Sequence, residues 1–228
     1  MSSTRGPIAS DHLQELLTEA HRARNKGRDR RAIGLYKRIL LERPHNPDVA
    51  LRVAPMLARR GDGFEAWQLY RRAARDLAKR KRWNECLTVY REACRIVPYE
   101  FEAWRLCAEL LLKMGQEDEA FQTLVDGRMH FRGPSTQAQA ITLLSRARSI
   151  EPWDTHVVLD LARLYARSDL PDVALELLSC LALRARGADL RRLRALQWRL
   201  TLSFRFAWLW LRAWGDSAEE PATFEHYA

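Results

Sequence analysis

Residues Leu35–Pro98 read LYKRILLERPHNPDVALRVAPMLARRGDGFEAWQLYRRAARDLAKRKRWNECLTVYREACRIVP, and the rest of the chain spells much of this again. Pro44, Pro98 and Pro152 lie 54 residues apart, each closing a stretch with helical periodicity. Ala54, Ala108 and Ala162 recur at that spacing, as do Ala66, Ala120 and Ala174. Tyr36, Tyr90, Leu144 and Trp198 form a further series, and Gly61 pairs with Gly115. Small and apolar residues returning in register at this period predict stacked helical units that bury their core between neighbours.

Working outward, Asp11 supplies an N-cap side chain for a helix ended by Gly27, and a second helix runs over 28–43 until Pro44 and Pro47 stop it. The first full unit follows, with helices predicted at 47–60, 64–80 and 83–97. The second has them at 101–114, 117–131 and 135–149, and the third opens with 155–168 and 171–186. Its last helix drifts, because Arg194 stands where Ala32, Cys86 and Ala140 stand earlier. Terminal repeats are expected to deviate, since one face has no neighbour. The domain reading is a flexible lead-in at 1–10, a repeat array over 11–188, an atypical aromatic-rich terminal helix at 189–214, and an acidic tail over 215–228.

The small-residue spacing resembles the tetratricopeptide repeat, a helix-turn-helix of about 34 residues. Ala20, Ala32, Tyr36, Ile39 and Pro44 fit its pattern, as do Ala74, Cys86, Tyr90, Ala93 and Pro98. Ala54, Ala66, Tyr70 and Ala73 fit it as well, followed by Ala108, Ala120, Leu124 and Gly127, and by Ala162, Ala174, Leu178 and Leu181. The sets at Ala54 and Ala74 are offset by 20 residues, so the helix at 64–80 serves two motifs and the period becomes 54. The resemblance covers about residues 13–186. It implies an all-α, right-handed helical-repeat solenoid with a 54-residue three-helix super-repeat, acting as a non-catalytic protein-interaction scaffold or adaptor.

Charge is unevenly placed. Residues 1–98 hold 22 Lys/Arg against 11 Asp/Glu, a net of +11, and the remainder hold 16 against 18, a net of −2. A basic half attracts nucleic acid, anionic lipid or an acidic protein surface. If first helices line a concave face as in the resembled family, that face presents His21, Arg24, Arg59, Arg71, Arg75, Lys79, Arg105, Lys113, Arg163 and Arg167. Guanidinium groups on rigid helices suit an acidic or phosphorylated segment, which accepts paired charge-assisted hydrogen bonds. The plainer alternative is a solvated face of helical ion pairs. The Asn-bearing carboxylate clamp of some family members is not recognisable, since Arg52 stands where its first Asn is expected.

The run Arg71–Arg82, flanked by Trp67, Tyr70 and Trp83, raises RNA binding as the alternative function, with bases stacking on the aromatics. The stretch Leu200–Trp214, LTLSFRFAWLWLRAW, is apolar all round a helix. It either caps the third unit or forms a second interface through Phe206, Trp208, Trp210 and Trp214, with self-association included. Interfacial membrane attachment through these tryptophans with Arg205 and Arg212 is a further alternative.

Catalytic and cofactor signatures are absent: the sequence has no GxGxxG, no phosphate-binding loop and no HExxH. Six histidines are scattered singly, and no metal is expected. Cys86, Cys94, Cys107 and Cys180 show no CxxC pairing and are expected as buried, reduced thiols. With neither an apolar leader nor a membrane span in the sequence, a cytoplasmic location is expected.

Overall fold

The computed structural model describes residues 7–43 and 46–215, and these are all-helical. Pro44, the lead-in before Pro7 and the acidic tail beyond Gly215 lie outside the described residues. The 54-residue period reappears in the helix starts. Helices α3 (Pro47–Arg59), α6 (Phe101–Lys113) and α9 (Thr155–Arg167) begin 54 residues apart. So do α4 (Gly63–Lys79), α7 (Glu117–Arg128) and α10 (Pro171–Ala182), and α5 (Trp83–Ile96) precedes α8 (Gln137–Ile150) by the same interval. Ahead of them lie α1 (Pro7–Asn25) and α2 (Asp29–Glu42), and after them α11 (Gly187–Thr201) and α12 (Phe204–Gly215).

Local chemistry sets these boundaries. Position 61 of the first unit, 115 of the second and 169 of the third all take left-handed backbone. Glycine provides that conformation without penalty in the first two, and Asp169, of a residue type that tolerates it, provides it in the third. Asn46 and Asp154, two periods apart, both cap helices by accepting a hydrogen bond from a backbone N–H, that of Val49 at 3.3 Å and that of Val157 at 2.7 Å. Helix α1 is described from Pro7, ahead of the Asp11 start expected from the sequence.

The chain divides into two compact units, residues 1–123 and 124–228. In the first, consecutive helices from α1 to α6 pack on one another, with α3 also touching α5. Its core holds the small residues of the repeat: Ala20, Ala32, Ala54, Ala66 and Ala74 have no exposed surface. Tyr36 and Tyr70 are equally enclosed, so each aromatic fills the volume that alanines open between helices. Cys86, Cys94 and Cys107 are buried thiols. The Cys86 thiol donates to the Ala74 carbonyl at 3.3 Å, and burial pushes its pKa up to about 11.

In the second unit α8 packs on α9, α9 on α10, and α10 on α11. The Gln137 amide at the head of α8 donates to the Leu164 carbonyl at 2.7 Å and to the Ser168 hydroxyl at 2.8 Å, satisfying the end of α9. Helix α7 stops at Arg128, short of the expected 131, because i to i−3 bonds at Met129, His130 and Phe131 tighten the turn and put Phe131 in the core. Helix α10 likewise stops at Ala182 rather than 186, and Leu183 beyond it faces solvent. Cys180 is exposed, which corrects the expectation of four buried thiols.

The drift of the final repeat has a structural cause. Were the period kept, positions 194 and 198 of α11 would face inward, but Leu193 and Gln197 do so instead. The helix has slipped by one position. Gln197 is fully enclosed and satisfied, donating to the Ser179 hydroxyl at 3.0 Å and accepting from Arg194 at 2.9 Å.

Candidate functional site

Within the first unit, α3 turns Val49, Val53, Ala54, Met56 and Leu57 inward and leaves Arg52 and Arg59 outside. Helix α5 buries Cys86, Leu87, Tyr90 and Cys94 and leaves Arg95 outside. Between these outer edges runs an open cavity of about 640 Å³. Arg24, Arg52, Arg59 and Arg95 line it against Asp48 and Glu92, over a floor that includes Leu51, Met56 and Ile96. A neighbouring cavity of about 740 Å³ shares Asp48 and Leu51 and adds Arg43, Arg80 and Arg82.

The electrostatics of the groove are visible in one side chain. Arg52 Nη1 lies 3.0 Å from Nε2 of His21, whose ring stands edge-on to Tyr36. For the guanidinium to donate, that nitrogen must be unprotonated. Desolvation, followed by the charges of Arg52 and Arg24, holds the His21 pKa below its ordinary value, so the imidazole stays neutral beside the arginines. Glu92 is taken up by Arg95 at 2.7 and 3.1 Å, and Arg59 reaches Asp29 at 3.6 Å. The net result is a groove with more cationic than anionic groups.

The other basic positions expected from the sequence do not join it. Arg71 is half-buried with its Nε enclosed and without a hydrogen bond; its charge acts on Tyr90 and Glu102, and that of Arg75 on Tyr90. Arg105 is gripped by Glu102 at 2.6 and 2.9 Å and by Glu109 at 2.6 Å, which raises its pKa. Lys79 and Lys113 are exposed. Arg163 and Arg167 belong to the second unit, where Arg163 lies 3.7 Å from Asp160 and Arg128 holds the same carboxylate at 2.8 Å. Arg24 and Arg59, expected on the concave face, line this cavity, and so do Arg52 and Arg95, which the sequence did not place on that face. Arg52 sits seven residues before Arg59 on one helix face, a spacing that signals their common side.

Of the three aromatics beside the basic run, Trp67 and Tyr70 are enclosed in the core and Trp83 alone is exposed, at 43%. Two of the three proposed stacking platforms are therefore unavailable to a base.

The C-terminal stretch is two helices, not the single helix expected over 189–214. Leu202 adopts left-handed backbone, φ 49°, and breaks the run between α11 and α12. The second helix packs against the first. Trp198 stacks on Trp210 at 5.7 Å, Trp210 meets Trp214 edge-on at 6.2 Å, and the Arg191 guanidinium lies 5.1 Å from the Trp214 ring. Phe206 and Trp210 are half-buried, while Trp208 and Trp214 are exposed. Among the described residues no helix is long and apolar enough to cross a membrane.

Comparison with known proteins finds a repeat family and several solved helical structures that are similar to parts or most of the chain. The family model of the Tetratricopeptide repeat matches residues 137–196. No curated protein matches the chain at a significant level. Among solved structures, a tetratricopeptide repeat protein from Parabacteroides merdae is similar, with 15% identity over 91% of this chain and 94% of its own and a TM-score of 0.34. A thermophilic protein of the same kind from Thermus thermophilus shows 18% identity over 93% of both chains and a TM-score of 0.31. PilF of Pseudomonas aeruginosa shows 16% identity over 90% of this chain and 89% of its own, with a TM-score of 0.30. With its small-residue register and its 54-residue helix period, the chain is an all-helical repeat protein whose residues 137–196 match the tetratricopeptide repeat family.

Proposed function

We propose that the chain is a protein-interaction scaffold whose first unit takes an acidic or phosphorylated protein segment into the groove between α3 and α5. The observation that carries this reading is the set Arg24, Arg52, Arg59 and Arg95 around one open cavity, with His21 kept neutral by its surroundings. Each arginine sits on a helix already fixed by core packing, so little ordering entropy is spent when a carboxylate or phosphate arrives. The apolar floor of Leu51, Met56 and Ile96 gives an extended segment something to cover between its charges. A cytoplasmic setting is part of the same reading.

The test is a titration of the full chain with fluorescent peptides, one rich in glutamate, one carrying phosphoserines and one of the same length with Gln and Ser in their place. Binding of the charged peptides, weakening as salt rises, with none of the neutral peptide, is the expected outcome. Equal binding of all three, or none, rejects the reading. An oligouridylate included as a competitor separates a protein ligand from a nucleic acid: displacement of the peptide only at bulk-polyanion concentrations supports the protein ligand, and efficient displacement argues against it.

A further inference from the structure

The face of α12 turned away from α11 has the composition of a surface made for a lipid headgroup layer. Phe204 is 94% exposed, Trp208 60% and Leu211 61%, and Leu202, in the turn just before, is 79% exposed. Phe204, Trp208 and Leu211 follow one another at i, i+4 and i+7, so they share one helical face. Arg205 and Arg212 are exposed one position beyond Phe204 and Leu211, about 100° further round the helix, so they flank that face. The Arg212 guanidinium lies 5.7 Å from the Trp208 ring. Residues 187–215 carry six arginines and one carboxylate, Asp189, a net of +5. Asp189 is already paired with Arg192 at 3.1 Å. Arg199, Arg205 and Arg212 have no carboxylate partner among the described residues.

We propose that the α11–α12 hairpin is a peripheral docking element for an anionic phospholipid surface. Phe204, Trp208 and Leu211 enter the boundary between headgroups and acyl chains, and Arg205 and Arg212 reach the phosphates. Helix α12 has 12 residues, about 18 Å of length, well short of the roughly 30 Å hydrocarbon layer, so it lies in the interface and does not cross it. Tryptophan is favoured there because its ring is apolar and its N–H stays among polar headgroups, while arginine keeps its charge at the phosphates and covers apolar surface with its stem.

Charge decides between this occupant and a second copy of the chain. Each face carries the cations Arg205 and Arg212 and no carboxylate, so two such faces brought together repel, whereas an anionic leaflet attracts each basic residue near it. A lipid surface also needs no shape complementarity to a convex helix. The broken helix contributes as well. Because α11 holds Trp210 and Ala213 on the inner side of the hairpin, the outer face stays apolar without unfolding anything. The proposal uses different residues from the groove of the first unit and stands or falls separately from it.

Flotation of the full chain on density gradients tests this, with vesicles of phosphatidylcholine alone and vesicles in which phosphatidylserine is added. The wild type is expected to float with the anionic vesicles and to remain at the bottom with the neutral ones. A variant with Phe204→Ser, Trp208→Ser and Leu211→Ser changes exposed positions only, and circular dichroism confirms that it is folded. Its partitioning should drop by about tenfold or more. A second variant, Arg205→Glu with Arg212→Glu, should drop by a similar factor. Failure to float with anionic vesicles, or equal flotation with both kinds, overturns the proposal. So does flotation that survives both variants. A wild-type dimer in solution that the serine variant turns into a monomer, with no flotation, identifies the face as a self-association surface instead.

Discussion

Arg52 donates to His21 across 3.0 Å, joining the outer side of α3 to α1 at the rim of the cationic groove. The contact needs a neutral imidazole, and desolvation together with Arg52 and Arg24 keeps the folded-state pKa of His21 below 6.5. The pH dependence follows directly. Above 6.5 both folded and unfolded chains carry neutral His21 and the residue contributes nothing to the pH slope; below it the unfolded chain takes up the proton more readily, so stability falls as pH drops. His21→Gln keeps an acceptor and cannot titrate. Urea midpoints compared between neutral pH and about pH 5 should fall less steeply for this variant than for the wild type. An acidic ligand in the groove supplies the opposite charge and raises the His21 pKa, so affinity should rise over the same pH range in the wild type only.

Ala74 has no exposed surface, and its carbonyl accepts from the Cys86 thiol where α4 meets α5. Leucine there adds volume to an interface that small side chains keep close. Ala74→Leu should cost about 1–3 kcal/mol in chemical denaturation, with the helical content of the surviving folded state unchanged. A neutral effect would show that α4 and α5 are not held at the close spacing described.

Tyr70 lies wholly inside the first unit, and its hydroxyl is enclosed without a hydrogen bond. Burial, followed by the charge of Glu92, raises its pKa, as expected of a phenol with nothing to stabilise the anion. Tyr70→Phe removes an unmet polar group and keeps the ring packing. Stability should stay level or rise by up to about 1 kcal/mol, read as an unchanged or higher Tm. A clear loss would mean that the hydroxyl has a partner.

The helices were legible in the sequence because buried small residues return at a fixed interval, Ala54 with Ala108 and Ala162, and Ala66 with Ala120 and Ala174. Pro47, Phe101 and Thr155 follow Asn46, Glu100 and Asp154, and the chain turns left-handed at 61, 115 and 169. The slip in α11 was not legible. Nothing in a periodic count says that Gln197 will find Ser179 and move inward in place of Trp198. The break at Leu202 was hidden for a related reason, since leucine carries none of the turn chemistry of glycine, proline or asparagine. The groove was half legible: Arg24 and Arg59 stood out as basic residues on first helices, but Arg95 lies on a helix that the repeat pattern assigns to the other side. Trp67 and Tyr70 show the converse, because a basic run beside aromatics looks like a nucleic-acid platform until packing takes the rings into the core.

Two charge reversals, compared side by side, test whether an acidic segment binds the α3–α5 groove. One variant carries Arg52→Glu and Arg59→Glu inside the groove; the other carries Arg71→Glu, Arg75→Glu and Lys79→Glu on α4, outside it. Fluorescence anisotropy with the phosphoserine peptide should show the first losing affinity by about tenfold or more, as charge-assisted hydrogen bonds are removed, and the second changing far less despite its larger change in net charge. Affinity that survives the groove reversal and collapses with the α4 reversal would contradict the account and move the binding face to Arg71 and Arg75.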